Sequence, residues 1–301
     1  MTIRLKKSDK KNSDELASEL LATYTLDCGV NHRGTSNIPS KKEMETIIQD
    51  LLNILFPGYL SDIPVADSDA KNYIKKNLIS FRRVLKKSIE RSINYLCKFS
   101  DECSINGNKI NADVVIDDLF NKLPTIRSQI TGDIQAAYDG DPAAKSCEEI
   151  IACYPSILAI SIHRVAHELY MNKVPLIPRM MSEYAHSATG IDIHPGAKIK
   201  MNFFIDHGTG TVIGETSEIG NNVRLYQGVT IGALSVPKES RRLTGVKRHP
   251  TIEDDVIIYA GATILGGETV IGKGSVIGGN VWLTSSVKPY SKIILNKSQA
   301  N

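Results

Sequence analysis

The sequence predicts an α+β protein, in which an α-helical N-terminal domain precedes a left-handed parallel β-helix of hexapeptide repeats. Two observations support this. Apolar residues recur every six positions in the last third of the chain, and they recur at steps of three and four in the segments before it. We expect the helical domain at 1–188, the β-helix at 189–288 with a loop protruding at 234–250, and a short tail at 289–301.

The six-residue repeat is the main evidence for the β-helix. Each unit opens with an apolar residue that is often followed by glycine, as in Ile213-Gly214 and Ile271-Gly272. A period of six fits neither an α-helix nor a heptad, but it suits short strands of which about three close one triangular coil. The opening residues, which we expect to point inward, are Ile193, Ile199, Ile205, Ile213, Ile219, Leu225, Ile231, Ile252, Ile258, Ile264, Ile271, Ile277 and Leu283.

Helical periodicity dominates the chain before the repeats. An apolar stripe predicts a long helix from about Ala70 to Phe99, and a shorter amphipathic helix spans 41–55. The first 40 or so residues are polar, and we expect them to be partly mobile. Further helices are expected at 113–123, at 124–137, at 143–152, from Pro155 to about Asn172, and just before Gly190.

Composition is that of an ordinary cytoplasmic protein. The chain has 301 residues, 42% of them hydrophobic, with a net charge of +3, so it can bury a sizeable core. It has no apolar run long enough to span a membrane, and its first residues lack the apolar stretch of a signal peptide. Its mild, dispersed basicity does not predict nucleic-acid binding. Five cysteines without a CxxC pair argue against a disulfide framework.

Polar residues interrupt the repeats where chemistry is expected. They are Asp192-Ile193-His194, Asp206-His207 and Arg248-His249, with Asp139-Gly140-Asp141 upstream. Positions 192 and 207 are 15 residues apart, close to the roughly 18 residues of one coil. A carboxylate on one winding can then accept the Nδ1–H of an imidazole on the next, which leaves Nε2 as a general base. The alternative is that an Asp-His pair caps a turn.

Several motifs together resemble the serine O-acetyltransferase family. The resemblance covers about 139–288, and Asp-His-Gly-Thr-Gly combined with Ile-Gly-Glu-Thr and a later Arg-His-Pro is its most selective part. It implies transfer of an acetyl group from acetyl-CoA to the hydroxyl of L-serine. The product would be O-acetyl-L-serine for cysteine synthesis, and L-cysteine would act as a feedback inhibitor. Acetyl-CoA would be a co-substrate, and no permanently bound cofactor or metal is expected.

The resemblance also implies a role for individual residues. His207 would be the general base and Asp192 its dyad partner. Asp141 and Asp206 would hold the substrate ammonium, Arg248 would bind the substrate carboxylate, and His249 would hydrogen-bond within the same pocket. Small residues that match family positions along the pantetheine arm of CoA are Gly232, Ala233, Ala260 and Gly279. Each of these four could equally be an ordinary small turn residue.

The same resemblance implies a homotrimer with its active site between adjacent prisms, and leaves a dimer of trimers open. The chain departs from the family pattern in its N-terminal 100 residues, which in the family join two trimers and which match poorly here, and in three further places. Ala233 stands where a second glycine is usual, and the loop before Arg248 is longer. Its residues Lys238, Arg241, Arg242 and Lys247 either reach CoA phosphates or are simply solvated. The chain does not end in the isoleucine that family members insert into cysteine synthase, so we do not expect a stable complex with that enzyme.

Three other functions remain open from the residues alone. A hexapeptide acetyltransferase acting on a sugar or another hydroxyl would keep His207 but would not need both Asp141 and Arg248. A zinc enzyme of the γ-carbonic-anhydrase type needs three converging histidines, and His194, His207 and His249 lack that family's spacing. A scaffold without catalysis is the third alternative. His163 and His167 lie four apart on a predicted helix but lack the Glu of HExxH, so a structural role is favoured.

Overall fold

The structure is a computed structural model, and it describes residues 12–24, 38–59, 64–97, 110–235 and 246–295, together with the backbone of 104–105 and 108–109. It forms two compact units, Met1–Asn37 and Ile38–Asn301. The first unit contains helix α1 (Ser13–Thr23), whose N-terminus is capped by Asn12 accepting a hydrogen bond from the Asp14 N–H at 3.2 Å. All elements described below belong to the second unit.

In the second unit, the described residues as far as 189 contain six helices. They are α2 (Lys41–Leu55), α3 (Ala70–Leu96), α4 (Ala112–Gly140), α5 (Cys147–Cys153), α6 (Pro155–Met171) and α7 (Ile177–Thr189). A short antiparallel hairpin of β1 (Ser104–Ile105) and β2 (Asn108–Lys109) precedes α4. The helices predicted at 41–55, at 70–99 and from Pro155 are confirmed, and α2 begins with a reciprocal capping box between Ser40 and Glu43.

The expectation of two helices at 113–123 and 124–137 is wrong. They form one continuous helix, α4, with Pro124 inside it. Proline removes one backbone donor and usually bends or ends a helix. Here the buried stripe runs through Leu123 and Ile126 on both sides of the proline, and packing against the other helices holds the helix together. The expected helix at 143–152 begins later, at Cys147, where the Ser146 hydroxyl accepts from the Glu149 N–H at 3.2 Å.

The rest of the chain winds into a left-handed parallel β-helix, as predicted. Sheet I contains β3, β6, β9, β12 and β15; sheet II contains β4, β7, β10 and β13; sheet III contains β5, β8, β11, β14 and β16. Their bounds are β3 (Asp192–Ile193), β4 (Lys198–Ile199), β5 (Phe204–Ile205), β6 (Val212–Ile213), β7 (Glu218–Ile219), β8 (Arg224–Leu225), β9 (Thr230–Gly232), β10 (Thr251–Ile252), β11 (Ile257–Ile258), β12 (Thr263–Leu265), β13 (Val270–Ile271), β14 (Val276–Ile277), β15 (Trp282–Leu283) and β16 (Lys292–Ile293).

Every residue predicted to point inward is the second residue of a strand. All of them are buried except Ile199 and Leu283, which are partly buried and pack against the core. The parallel register stacks them directly, as in Ile193 beside Ile213 and Ile213 beside Ile231. The last strand, β16, pairs with β14, so the parallel strands continue past residue 288, where we expected the tail to begin.

Two corners of the prism contain polar residues that were singled out from the sequence. The His207 corner is residues 206–211, where the chain passes from sheet III to sheet I. The Arg248 corner is residues 214–217 and 246–250, where it passes from sheet I to sheet II. The two corners therefore lie at opposite ends of the strands of sheet I, the His207 corner where the strands begin and the Arg248 corner where they end. Of the expected loop at 234–250, residues 236–245 lie outside the described part of the chain, and Lys238, Arg241 and Arg242 lie there with them.

A buried ion pair joins the helices to the first winding of the prism. Arg164 of α6 donates from Nε and Nη2 to the two oxygens of Asp133 of α4, at 2.6 and 2.7 Å. The guanidinium also donates to the Lys200 carbonyl at 2.9 Å, and Asp133 accepts from the Phe203 N–H at 2.8 Å. Both charges are thus saturated by partners from three segments, which fixes how α4 and α6 lie on the β-helix.

Among the described residues no single helix is both long and apolar enough to cross a membrane. Helices α5 and α6 satisfy that criterion only as a pair bent by 78°, and by length and composition alone.

Candidate active site

The His207 corner presents an imidazole to solvent. His207 directly follows β5 and Asp206, at the point where the repeat takes eight residues instead of six. Its side chain is 69% exposed, and its Nδ1 lies 3.6 Å from Asp206 Oδ1. Its backbone has a φ of 59°, in the left-handed region that histidine tolerates better than most residues. Such backbone conformations concentrate at functional sites, where they aim a side chain.

Asp141 reaches the same corner from the helical part of the chain. It is the residue after α4, and its Oδ2 accepts a hydrogen bond from the Tyr154 hydroxyl at 2.5 Å, while Oδ1 accepts from the Ala143 N–H at 2.8 Å. These bonds hold the pKa of the Asp141 carboxyl below its usual range, and the nearby His207 and Arg224 add to the effect. The same bond raises the pKa of Tyr154 to about 12, so the phenol stays a donor and the carboxylate stays charged.

Asp192 lies on the winding next to His207, as expected. It opens β3, which pairs in register with β6, and a Cβ on Gly208 would lie only 2.5 Å from Ile191 Cδ1. Its Oδ1 is buried, lies 3.7 Å from Arg179 Nη1, and has no hydrogen-bond partner among the described residues. The windings are therefore adjacent, but the hydrogen bond that we expected between Asp192 and His207 is not among those of the described chain.

The Arg248 corner is built more tightly. The Arg248 guanidinium is ion-paired with Glu215, whose other oxygen accepts from the Tyr170 hydroxyl at 2.5 Å. Burial raises the pKa of the Glu215 carboxyl, but the bonds from Tyr170 and Arg248 outweigh burial and leave it lowered. Burial and the bond to Glu215 raise the pKa of Tyr170 to about 12. A charged carboxylate in a bonded frame thus fixes one side of the guanidinium.

Thr216 locks the residues around Arg248. Its hydroxyl oxygen accepts from the backbone N–H groups of Arg248 and His249 at 2.9 and 3.1 Å, so its own proton is directed to His249 Nδ1, 2.9 Å away. The Thr216 N–H also donates to that nitrogen at 3.1 Å. Nδ1 is therefore an acceptor, and the ring proton is on Nε2. Lys247 Nζ closes the frame by donating to the Thr216 carbonyl at 2.7 Å.

His249 is a buried, neutral donor. Burial lowers its pKa to about 4, and the Arg248 charge acts in the same direction. Its ring occupies the space above Gly214, where any Cβ would overlap the imidazole. The glycine of Ile-Gly-Glu-Thr is therefore required here for close approach of a side chain rather than for an unusual φ.

Three further histidines were considered from the sequence, two on α6 and one directly after β3. His163 is buried with a pKa well below its usual value because of burial, and His167 Nδ1 lies 2.8 Å from the Pro195 carbonyl. His194 lies edge-on to Tyr170, with ring centroids 5.7 Å apart. These contacts agree with a structural role for His163 and His167.

Within the described chain, one group of three possible metal ligands lies close together, with ligand atoms within 4.8 Å of one another: Glu183, His186 and Asp192. Arg179 already pairs with Glu183 at 2.5 Å and lies near Asp192, so a cation there would meet a positive charge. The three histidines of the zinc alternative, at 194, 207 and 249, do not form such a group in the described chain.

The four candidate CoA residues form two pairs at opposite ends of the strands of sheet I. Ala260 and Gly279 lie together at the end of the His207 corner, where a Cβ on Gly279 would be 3.1 Å from the Ala260 carbonyl oxygen. Gly232 ends β9 at the other end, with Ala233 directly after it, and its carbonyl accepts from the Gly266 N–H at 3.1 Å. The structure therefore brings the first pair together and keeps it apart from the second.

Several residues at these corners were not singled out from the sequence. Glu215 and Thr216 stand inside the Ile-Gly-Glu-Thr motif, so their polarity at a strand end was the available signal. Tyr154 and Tyr170 carried no signal, since each reaches its carboxylate only in the folded chain.

Comparison with known proteins identifies the family. No protein-family model matches the chain. The plasmid serine acetyltransferase of Synechococcus elongatus is 45% identical over 254 residues, which is 83% of this chain and 79% of that protein. The serine acetyltransferase of Bacillus subtilis is 48% identical over 162 residues, 54% of this chain and 71% of that protein.

Solved structures agree. Serine acetyltransferase isoform 3 of Entamoeba histolytica, in complex with cysteine, has a TM-score of 0.71 at 35% identity and covers 95% of this chain and 93% of its own. Soybean serine acetyltransferase complexed with serine has a TM-score of 0.55 at 28% identity, with coverage of 86% and 98%. With the fold, the two polar corners and these relatives in view, the chain belongs to the serine acetyltransferase family.

Proposed function

We propose that this enzyme transfers the acetyl group of acetyl-CoA to the side-chain oxygen of L-serine, giving O-acetyl-L-serine and CoA. The main support is that the candidate site combines carboxylates, a guanidinium and a histidine that can act as a base. Asp141 and Asp206 suit an ammonium group, Arg248 suits a carboxylate, and His207 lies on the corner with the two carboxylates. A free amino acid with a hydroxyl side chain carries all three matching groups.

His207 acts as the general base. Its Nε2 takes the hydroxyl proton while the serine oxygen attacks the thioester carbonyl, and a tetrahedral intermediate forms. Collapse of that intermediate breaks the carbon–sulfur bond, and the imidazolium returns its proton to the departing thiolate of CoA. Neutral His249, with its proton on Nε2, donates to the serine carboxylate beside Arg248.

Asp192 orients His207 in this proposal. A buried carboxylate oxygen without a hydrogen bond is costly, and Asp192 Oδ1 is such an atom among the described residues. An Nδ1–H from the adjacent winding would satisfy it. Catalytic hydrogen bonds are often loose before substrate binds, which accommodates the exposed position of His207. Asp206, already 3.6 Å from Nδ1, then remains free to accept from the substrate ammonium.

Two corners at opposite ends of the strands of one sheet support a site shared between chains. In a homotrimer the His207 corner of one protomer faces the Arg248 corner of the next, and a dimer of trimers would keep the same sites. The split of the small residues supports the same arrangement, because the CoA arm would run between Ala260 and Gly279 of one chain and Gly232 and Ala233 of its neighbour.

L-cysteine is the inhibitor in this proposal. It has the ammonium and carboxylate of serine and differs in one side-chain atom, so the same charged groups bind it. One structural relative is a serine acetyltransferase in complex with cysteine, and another is one complexed with serine.

The substrate is tested by release of CoA thiol from acetyl-CoA with serine, homoserine, a panel of sugars, and no acceptor. We expect turnover with serine to exceed that with every other acceptor, and added L-cysteine to compete with serine. Equal or faster turnover with a sugar would refute the proposal in favour of a different hydroxyl acceptor.

The shared site is tested by mixing two variants, at a serine concentration far below the KM of Arg248→Ala, where each variant alone is nearly inactive. His207→Ala and Arg248→Ala are co-expressed with different affinity tags, and doubly tagged protein is purified. In a trimer with shared sites, every doubly tagged trimer has two chains of one variant and one of the other, so about a third of its sites combine two intact corners and activity returns to about a third of the unmodified level. Doubly tagged protein that stays inactive would show that each chain builds its own site.

A further inference from the structure

Arg224 links the end of α4 to the β-helix. It is the first residue of β8, and its Nη1 donates to the Gly140 carbonyl, the last of α4, at 2.9 Å. The guanidinium carbon lies 5.6 Å from the centre of the Phe204 ring, which faces Arg224 in register from β5. A cation at a helix C-terminus stabilises the unpaired carbonyls there, and a cation above a ring adds attraction.

Gly140 shows how closely these groups pack. A Cβ at this position would lie 2.6 Å from Arg224 Nη2 and 2.9 Å from Phe204 Cδ1. Neither neighbour can withdraw easily, because Phe204 is 2% exposed and the arginine is held by its hydrogen bond. The end of the helix therefore rests directly on the arginine and the aromatic ring.

Two groups of the proposed active site extend from this joint. Asp141 follows Gly140, and Asp206-His207 follow Phe204 after one intervening residue. Arg224 contacts both segments, and its charge acts on the Asp141 carboxylate. The position of Asp141 relative to His207 is thus set by a side chain that lies one winding further along.

We propose that Arg224 is a positioning residue: it clamps the C-terminus of α4 onto β5 so that Asp141 is held beside Asp206 and His207 for the substrate ammonium. This rests on the proposed function, because the ammonium of serine is the group that Asp141 would bind. Arg224 itself does not contact the substrate.

Steady-state kinetics of Arg224→Met, which keeps an unbranched side chain without the charge, tests the proposal. We expect KM for serine to rise about tenfold while KM for acetyl-CoA stays within twofold. In an Asp141→Asn background the same change should add no further increase, because the two residues act through one contact. Arg224→Lys keeps the charge but not the planar guanidinium, and its KM for serine should lie between those of the unmodified enzyme and Arg224→Met.

The matched control is Lys292→Met. Lys292 is the first residue of β16, as Arg224 is of β8, and both strands belong to sheet III. Lys292→Met therefore removes a cation from the equivalent position on the sheet, and KM for serine and KM for acetyl-CoA should both stay unchanged. Gly140→Ala disturbs the joint from the helix side and should raise KM for serine as Arg224→Met does. Additive effects of Arg224→Met and Asp141→Asn, or equal rises in both KM values, would overturn the positioning role.

Hydrogen exchange gives a readout that does not need activity. The Asp141 N–H bonds the Ala137 carbonyl, and the Ala143 N–H bonds the Asp141 carboxylate. Both amides should exchange faster in Arg224→Met, with the melting temperature of the protein lowered by only a few degrees, and unchanged exchange would also overturn the proposal. Faster exchange in an enzyme that does not acetylate serine would leave the clamp standing and reject the proposed function alone.

Discussion

The two corners of the prism differ in how completely one chain builds them. At the Arg248 corner the arginine side chain is 27% exposed and paired with Glu215, which also accepts from Tyr170. Thr216 joins the backbone of Arg248 to the ring of buried His249. At the His207 corner the imidazole is 69% exposed and has one loose contact at 3.6 Å. The proposed carboxylate-binding corner is therefore preorganised by its own chain, whereas the imidazole of the other corner is open to solvent in the single chain.

The largest expected effect comes from the exposed corner. His207→Ala should lower kcat by about 10²- to 10⁴-fold, because the proposed mechanism gives the serine proton to its imidazole. Binding of acetyl-CoA, measured by calorimetry, should be kept, since the imidazole is not among the candidate CoA contacts. Turnover within a few fold of the unmodified enzyme would remove His207 from the general-base role.

Two carboxylates, Asp192 and Asp206, lie near His207, and substituting each in turn shows which of them orients the imidazole. Asp192→Asn should lower kcat by about 10²-fold, because the imidazole loses the acceptor that orients it. Asp206→Asn should instead raise KM for serine, with kcat changed less, because it weakens the ammonium site. If instead Asp206→Asn lowered kcat and Asp192→Asn did not, Asp206 would be the dyad partner and Asp192 would serve only in the ion pair with Arg179.

A smaller effect is expected at the preorganised corner. Arg248→Ala should raise KM for serine and the inhibition constant for cysteine together, by about 10- to 100-fold, as for loss of a charge-assisted hydrogen bond. Its kcat should change less. If only KM for acetyl-CoA moved, Arg248 would belong to the CoA site instead.

The smallest effect concerns pH and stability. The pKa of His249 is lowered to about 4 in the folded chain, against an ordinary value near 6.5, so the unfolded chain binds more protons between these values. The free energy of unfolding should therefore decline as pH falls from about 6.5 to about 4. Urea titrations of His249→Asn, which keeps an acceptor for Thr216, should show a shallower decline, and His163 and His194, whose pKa values are also lowered by burial, contribute to what remains.

The period of six predicted the inward residues because every winding repeats the same environment, so one sequence rule applies to all strands. Pro124 misled the helix prediction, since the penalty of a proline is local and the apolar stripe that overrides it spans the whole helix. Spacing placed Asp192 and His207 on adjacent windings, but it carries no information on rotamers, nor on Arg179, which arrives from α7. Tyr154 and Tyr170 meet their carboxylates only through tertiary folding.

The buried Arg164–Asp133 pair has a consequence for how the molecule is made. During synthesis the helices leave the ribosome first, with a charged pair whose remaining partners, the Lys200 carbonyl and the Phe203 N–H, have yet to be translated. The helical part can collapse early, but burying those two charges is unfavourable until the first turns of the prism emerge. We therefore expect its nascent core to stay accessible to water for the time taken to add some forty residues beyond Arg164, on the order of seconds.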